Sequence, residues 1–201
     1  MIHSDFNKII YFNKTLKENK INLFQRTTRL YTEEHLKKFY LTGLCIKGKD
    51  ASGFVGKWSI EDLWAIQKKL TPNASLIPYG GVATSEQVKY FLNDGAEIIG
   101  VGARFAFSKE SPISDKAKYK IINNNISNIS LNNGQNTLFI NNDNTNDIRT
   151  DPNNTKELEL GLFSSKDEGK LYIGKSIDQI NKIMSCKEII DDLLQDLKLD
   201  T

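Results

Sequence analysis

Residues 77–105, IPYGGVATSEQVKYFLNDGAEIIGVGARF, constrain the fold more than any other part of the chain. They read as strand, glycine turn, helix, strand, glycine turn. Ile77 and Pro78 end an apolar run, and Gly80-Gly81 follow at once. Thr84 opens a helix with Gln87 three residues on, the spacing of a capping box. That helix carries Val88, Phe91 and Leu92 and stops at Gly95, where a left-handed residue is expected. Ile98-Ile99 then lead into Gly100-Val101-Gly102. Each glycine turn lies just past a strand and exposes backbone N–H groups with no Cβ in the way. In a parallel α/β barrel such turns sit on the C-terminal face, where the loops after the last two strands commonly bind phosphate. The stretch therefore predicts a phosphate cradle for a nucleotide or flavin. On these residues alone, glycines that merely turn the chain are an equal alternative.

Upstream the same alternation repeats. Ser4 can cap a helix bearing Phe6, Ile9, Ile10 and Leu16 at helical spacing. Ile21–Arg26 reads as a strand, and Thr32 opens a short helix with Leu36, Phe39 and Tyr40 on its apolar side. Leu41–Ile46 is the next strand. After the loop GKDASGFVGKW, Ser59 caps a helix carrying Ile60, Leu63, Trp64, Ile66 and Leu70, with Asp62 three residues on. Ala74–Pro78 and Glu97–Gly100 are the third and fourth strands. The order αβαβαβαβ implies a parallel sheet with right-handed crossovers. The expected fold class is α/β, and four strands are roughly half of what a TIM barrel holds, a partial TIM barrel being what the resemblance below implies. A complete eightfold barrel needs about 250 residues, and the chain has 201.

Three regions are expected: a partial barrel over 1–115, an insertion over 116–157 and a helical tail over 158–201. The middle one is set apart by composition. Residues 123–154 hold 13 asparagines, and such biased sequence buries too little apolar area to offset ordering entropy. Loose structure is expected there, with Leu138-Phe139-Ile140 as a short strand. In the tail, Ser176 is expected to cap a helix over 177–184, and 187–199 forms another. A formal charge of +2 gives no reason to expect nucleic acid. No run of about 18 apolar residues predicts a membrane span. Cys45 and Cys186 stand far apart with no C-x-x-C pair, and the histidines are His3 and His35. No metal site is expected, and a reducing cytoplasm is the expected compartment.

The strand ends supply the site candidates: Arg26-Thr27-Thr28, Lys47-Gly48-Lys49-Asp50, Tyr79-Gly80-Gly81 and Gly100-Val101-Gly102-Ala103. On one face of a parallel sheet they converge. The loop Gly48–Gly56 adds small residues, Ala51 and Ser52, that let a flat group approach the backbone; a plain flexible loop is the alternative. Phe54 is either a side chain over a ring system or a core residue.

These motifs, in this order and spacing over about residues 20–115, resemble the C-terminal half of the nitronate monooxygenase (2-nitropropane dioxygenase) family. That family also includes flavin-dependent enoyl-acyl carrier protein reductases. Its pattern is roughly Q-G-x-E/D-A-G-G-H-x-G, then A-G-G-I-A, then Q-M-G-T-R-F. Here the counterparts are Lys47–Gly56, Tyr79–Ala83 and Gly100–Phe105. The resemblance implies an FMN-dependent oxidoreductase acting on a small-molecule substrate. It places flavin contacts at Lys47, Ser52, Gly80, Gly81, Gly100, Val101, Gly102 and Ala103.

The departures from the pattern bear on activity. Phe54 stands where the family has its catalytic histidine, and a phenyl ring takes no proton. Lys47 replaces the glutamine, Ser52 the first glycine of a pair, and Ala103 the threonine beside the phosphate. Asp50 and Lys47 are the nearest ionisable candidates for a base; the plainer alternative has Lys47 touching flavin or phosphate and Asp50 holding the loop through backbone bonds. The barrel's first strands have no counterpart. The readings of this are a truncated chain, a barrel completed by a second chain, a family member that never closes a full barrel, and a relic or accessory domain without catalysis; the open edges invite pairing with another chain, a homo-oligomer included. A relationship to the IMP dehydrogenase group is disfavoured, because Cys45 sits inside an apolar strand rather than in a catalytic loop.

Overall fold

The computed structural model describes residues 3–123, 130–132, 135–140, 169–171, 174–195 and 197. The element order opens with α1 (His3–Glu18), β1 (Phe24–Thr27), α2 (Glu33–Lys38), β2 (Gly43–Ile46) and β3 (Gly53–Phe54). It continues with α3 (Ile60–Leu70), β4 (Ser75–Pro78), α4 (Ser85–Asn93), α5 (Ala103–Ala106) and α6 (Asp115–Asn123). The strands β5 (Ser130–Asn132), β6 (Gln135–Ile140) and β7 (Gly169–Leu171) follow, then a 3-10 turn over Lys175–Gln179 and helix α7 (Cys186–Leu194).

β1, β2 and β4 form a parallel sheet in that order, with Arg26, Cys45 and Ile77 in one cross-strand row. This is the parallel sheet the alternation predicts, and part of the TIM barrel that the resemblance implies. Side chains alternate between the two faces with period two. Leu44 and Ile46 are fully buried and Leu76 nearly so, all toward the helices. There they join Leu63, Trp64, Val88 and Phe91 in the main core. Trp64 meets Phe91 edge to face at 5.4 Å, a geometry that suits the ring quadrupoles. The other sheet face, which a closed barrel turns inward, carries Phe24 at 39% exposure and Tyr79 at 42%.

The helices start where short polar side chains satisfy first-turn N–H groups. Thr32, Ser59, Thr84 and Ser185 accept from the backbone N–H of His35, Asp62, Gln87 and Glu188 respectively. Gly95 adopts φ +91°, the expected left-handed stop.

Four expectations need correction. The fourth strand, Glu97–Gly100, shrinks to a single parallel bridge between Tyr79 and Gly100. It lies at the sheet's edge with Ile98 57% exposed, so little burial rewards further pairing. Ser4 falls inside the first turn of α1, because the helix begins one residue earlier. The helix over 177–184 is instead a 3-10 turn, and chain without regular structure runs from it to Ser185. Ser176 is buried and lies inside that turn, while Ser185 caps α7 through a capping box with Glu188. The short strand expected at 138–140 is longer, β6, and is flanked by β5 and β7 in an antiparallel arrangement. Most of the asparagine-rich span, and with it the expectation of loose structure, lies outside the described residues.

Helix α7 closes the structure against the barrel. Ile189 and Leu193 enter the main core. Lys109 pairs with Glu188 at 3.0 Å, and both carboxylate oxygens of Glu110 accept from the Cys186 N–H. An acid at a helix N-terminus is favoured by the helix dipole. Deeper, the guanidinium of Arg104 is 7% exposed and donates to the Ala83 carbonyl at 2.9 Å and to Asp192 at 2.6 Å.

Two measurements check this closure. Asp192→Ala leaves a buried guanidinium short of its counter-charge. Because Asp192 is itself partly exposed, the expected loss is about 2–3 kcal/mol, below the full figure for a buried pair, read by urea unfolding. Glu188 is pulled down to about 2, first by the Ser185 N–H and then by Lys109. Its folded pKa is depressed, so its stabilisation is present above the ordinary carboxylate range near 4.5 and is lost as pH falls toward 2. Glu188→Gln is expected to flatten the stability profile across that acid window; equal slopes for the two proteins would contradict the assignment.

Candidate functional site

The C-terminal ends of the parallel strands carry two adjacent features, a glycine cradle and a basic cleft. The cradle forms where the turns after β4 and after Gly100 meet. The N–H of Gly100 donates to the Pro78 carbonyl at 2.8 Å, and that of Gly80 to the Gly100 carbonyl at 3.4 Å. These bonds bring Gly80 and Gly81 beside Gly100, Val101 and Gly102. Gly80 and Gly81 hold φ of +97° and +98°, a region that excludes side chains with a Cβ except under strain. A Cβ built on Gly102 meets nothing within 4 Å, so its backbone faces open space. Val101 is half-buried against the main core, and Ala103 opens α5.

Gln87 fixes the loop between the glycines and α4. Its Oε1 accepts from the Ala83 N–H at 2.9 Å, and its Nε2 donates to the Gly81 carbonyl at 3.2 Å and to Glu61 at 3.0 Å. The capping box predicted for Thr84 is thus half present: Gln87 reaches past the cap residue to its predecessor. From the other side Arg104 holds the Ala83 carbonyl. The cradle is held by side chains from two elements, α4 and α5.

The cleft opens beside it, over the ends of β1 and β2. Its volume is about 630 Å³, within the range of small-molecule sites. Arg26, Thr27, Thr28, Arg29 and Tyr31 form one wall; Lys47, Ser52, Gly53 and Phe54 form the other. Lys47 is 8% exposed, and its Nζ donates to the Ser52 carbonyl at 2.7 Å. Burial pushes the ammonium below the ordinary lysine range, and the Arg26 charge pushes the same way. Phe54 is 64% exposed at the mouth, so it is not a core residue. Its strand, β3, pairs with Gln135 and Asn136 of β6.

Of the residues singled out from sequence, Lys47 and Ser52 line the cleft, and the glycines with Val101 and Ala103 form the cradle. Lys47 stands between the two: a Cβ on Gly80 would lie 3.9 Å from its Cε. Asp50 is not among the cleft residues. Its carbonyl, rather than its carboxylate, accepts from the Ser176 N–H at 3.5 Å. Among the described residues no three histidine, cysteine or acidic side chains gather into a metal site. Both cysteines are free thiols, and burial raises the pKa of Cys45 against a smaller opposing effect of Arg26.

Three contributors were missed by the sequence reading. Arg29 and Tyr31 follow β1 in a segment with no motif. Gln67 is fully buried in α3, where its amide accepts from the Tyr31 N–H at 2.9 Å and donates to the Tyr31 carbonyl at 2.8 Å. It holds the cleft wall in place. A polar residue on the apolar stripe Ile60, Leu63, Trp64 was the available signal. His35 packs edge to face on Tyr31 at 5.7 Å, with its ring held by Thr32.

A model of the nitronate monooxygenase family matches residues 13–196. The chain belongs to that family. A comparison with curated proteins gave no match. Among solved structures, a mutant of FabK from Thermotoga maritima is similar at TM-score 0.71 and 20% identity, over 92% of this chain and 62% of that one. The parent FabK is similar at TM-score 0.68 and 20% identity, over 90% and 62%. At that identity the likeness is one of fold, and the chain spans about 62% of the length of FabK.

The cradle predicts a contrast between two of its glycines. Gly81→Ala forces a Cβ into positive φ and is expected to cost roughly 1–2 kcal/mol. Gly102→Ala meets no neighbour at φ −117° and is expected to stay within about 0.5 kcal/mol of the parent. Thermal unfolding of both variants tests the backbone assignment; equal losses would overturn it.

Proposed function

We propose that this member of the nitronate monooxygenase family is an FMN-dependent oxidoreductase of the nitronate monooxygenase type that takes the flavin phosphate into the glycine cradle. The observation that carries this reading is Gly102, whose backbone faces open space next to two glycines at positive φ. Phosphate is held well by backbone N–H groups that no side chain obstructs. Ala83 is not one of the donors, since Gln87 takes its N–H. Lys47 and Ser52 lie toward the ring system, in a cleft whose volume suits a flat heterocycle. Bound there, the flavin supplies the redox chemistry, and the protein supplies orientation, charge and exclusion of water.

On the proton side the chain departs from its family. With Phe54 in the histidine's place, no neutral imidazole lines the cleft. General-base catalysis contributes typically about 10²–10⁴-fold, so turnover of a nitronate by this chain is expected to fall short by about that factor. Lys47 is the remaining candidate base in the cleft, since burial and Arg26 favour its neutral form. The alternative is a chain that holds flavin without catalysis, or one that reaches activity only with further barrel strands. Phe24 and Tyr79, exposed on the face a closed barrel turns inward, favour the latter. The covering strands come either from a second polypeptide or from another copy of this one. Free thiols at Cys45 and Cys186 suit a cytoplasmic protein.

Titration of the full chain with FMN, followed by quenching of flavin fluorescence, tests the proposal. Saturable binding that Gly102→Val weakens while leaving thermal stability intact is the expected result. Binding unaffected by Gly102→Val would move the phosphate elsewhere. Binding that emerges only when a chain carrying the complementary barrel strands is added would establish the partner-dependent form.

A further inference from the structure

The basic cleft holds a lysine whose setting suits chemistry beyond a flavin contact. Lys47 sits at the C-terminal end of β2, more than nine-tenths buried, yet it lines an open cleft. One of its three N–H bonds is spent on the Ser52 carbonyl. Among the described residues no carboxylate neutralises it: its side-chain hydrogen bond goes to that neutral oxygen, and its charged neighbour is another cation, Arg26. Arg26 and Arg29 themselves make no side-chain hydrogen bond or ion pair among the described residues, and both line the same cleft. Phe54 adds an apolar wall at the mouth. A lysine that is desolvated and set beside a second cation is activated as a nucleophile, because both influences favour the free amine.

From this juxtaposition we infer that Lys47 is an amine nucleophile that forms an imine with a carbonyl compound bearing an anionic group, which Arg26 and Arg29 hold. The lone pair of Nζ attacks the carbonyl carbon, and the carbonyl π electrons pass to its oxygen. A proton moves from nitrogen to that oxygen through water. The hydroxyl so formed takes up a second proton from water, the C–O bond breaks and the oxygen leaves as water while the C=N bond forms, and the nitrogen returns its remaining proton to water. Amine and carbonyl give imine and water, with no oxidant or reductant consumed. The Ser52 carbonyl keeps Nζ directed across the cleft during this sequence. Arg26 does two jobs, disfavouring the ammonium and attracting the anion. The direction of the amine's pKa, below that of an ordinary lysine, agrees with the geometry. The same cleft would take the flavin ring, so a bound flavin would cover Lys47, and the imine is a reaction of the flavin-free chain.

The test is reductive trapping on the full chain at neutral pH. The protein is incubated with glyoxylate or with pyridoxal 5′-phosphate, reduced with borohydride, digested and examined by mass spectrometry. Borohydride delivers hydride to the imine carbon and leaves a stable secondary amine. The expected result is faster labelling at Lys47 than at the exposed lysines, for instance Lys14 and Lys187. Arg26→Gln is expected to slow labelling of Lys47 by these anionic carbonyls more than by propionaldehyde, which carries no charge. Lys47→Gln and Lys47→Arg are expected to lose the cleft adduct and leave surface labelling unchanged, with circular dichroism showing that each is folded. Labelling of Lys47 no faster than the surface lysines overturns the proposal, as does equal slowing of charged and uncharged carbonyls by Arg26→Gln. An FMN titration on the same preparation separates the two conclusions. Flavin binding without selective Lys47 labelling removes the imine only; selective labelling without flavin binding removes the flavin reading only.

Discussion

A buried guanidinium holds this structure together. Arg104 sits in the four-residue helix α5, directly after the second glycine turn, with 7% exposure. A charge so placed is tolerable only when hydrogen-bonded and paired. One nitrogen serves the Ala83 carbonyl in the first glycine turn; the other reaches Asp192 in α7. The Met184 sulfur, just before α7, lies 3.5 Å from that second nitrogen. Three pieces of chain separated by some 20 and 90 positions are therefore fixed by one side chain. The cradle's shape, and with it the position of Lys47 beneath Gly80, depends on a tail helix that contributes nothing to the cradle itself.

Why the parallel sheet was legible and the tail was not follows from range. Leu44, Ile46 and Leu76 alternate with residues of the other face, and capping residues at Ser59 and Thr84 announce the intervening helices locally. Each signal lies within a few residues of the element it specifies. The 3-10 turn at Lys175–Gln179 has no such local cause. It packs Ile177 and Ile180 against Phe107, Ile113 and Ala117, and its first residues lie against the Asp50–Ala51 backbone. These partners lie at least 60 positions away, and no periodicity in the tail encodes them. Ser176 looked like a cap because serine before an apolar run usually is one; here it is buried in that tertiary contact.

The candidate site divides along the same line. Glycines before a helix declare themselves by spacing, since the conformation that needs them is local. The cleft is an assembly. Tyr31 belongs to its wall because Gln67, 36 positions on, accepts from its N–H and donates to its carbonyl. A buried glutamine costs desolvation unless both ends of its amide are satisfied. Gln67 meets that condition with Tyr31 and Thr71, so its place on the apolar stripe of α3 is explained by a neighbour in space rather than in sequence.

The two faces of the sheet have different tasks. Toward the helices, Leu44, Ile46 and Leu76 supply burial, and stability comes from there. Toward the barrel axis, the rows are uneven: Phe24 with Gly43 and Ser75, then Arg26 with Cys45 and Ile77, then Lys47 beside Tyr79. A closed barrel fills this face with layers of branched apolar residues. Here the polarity rises toward the C-terminal end, where the charges of Arg26 and Lys47 meet across the mouth of the cleft. Placing two cations together on a half-buried surface without a carboxylate between them opposes folding. Neither residue is needed for the core, which lies on the far side of the sheet. A destabilising pair kept at the one end of the strands where ligands gather is explained by what it binds rather than by what it holds together.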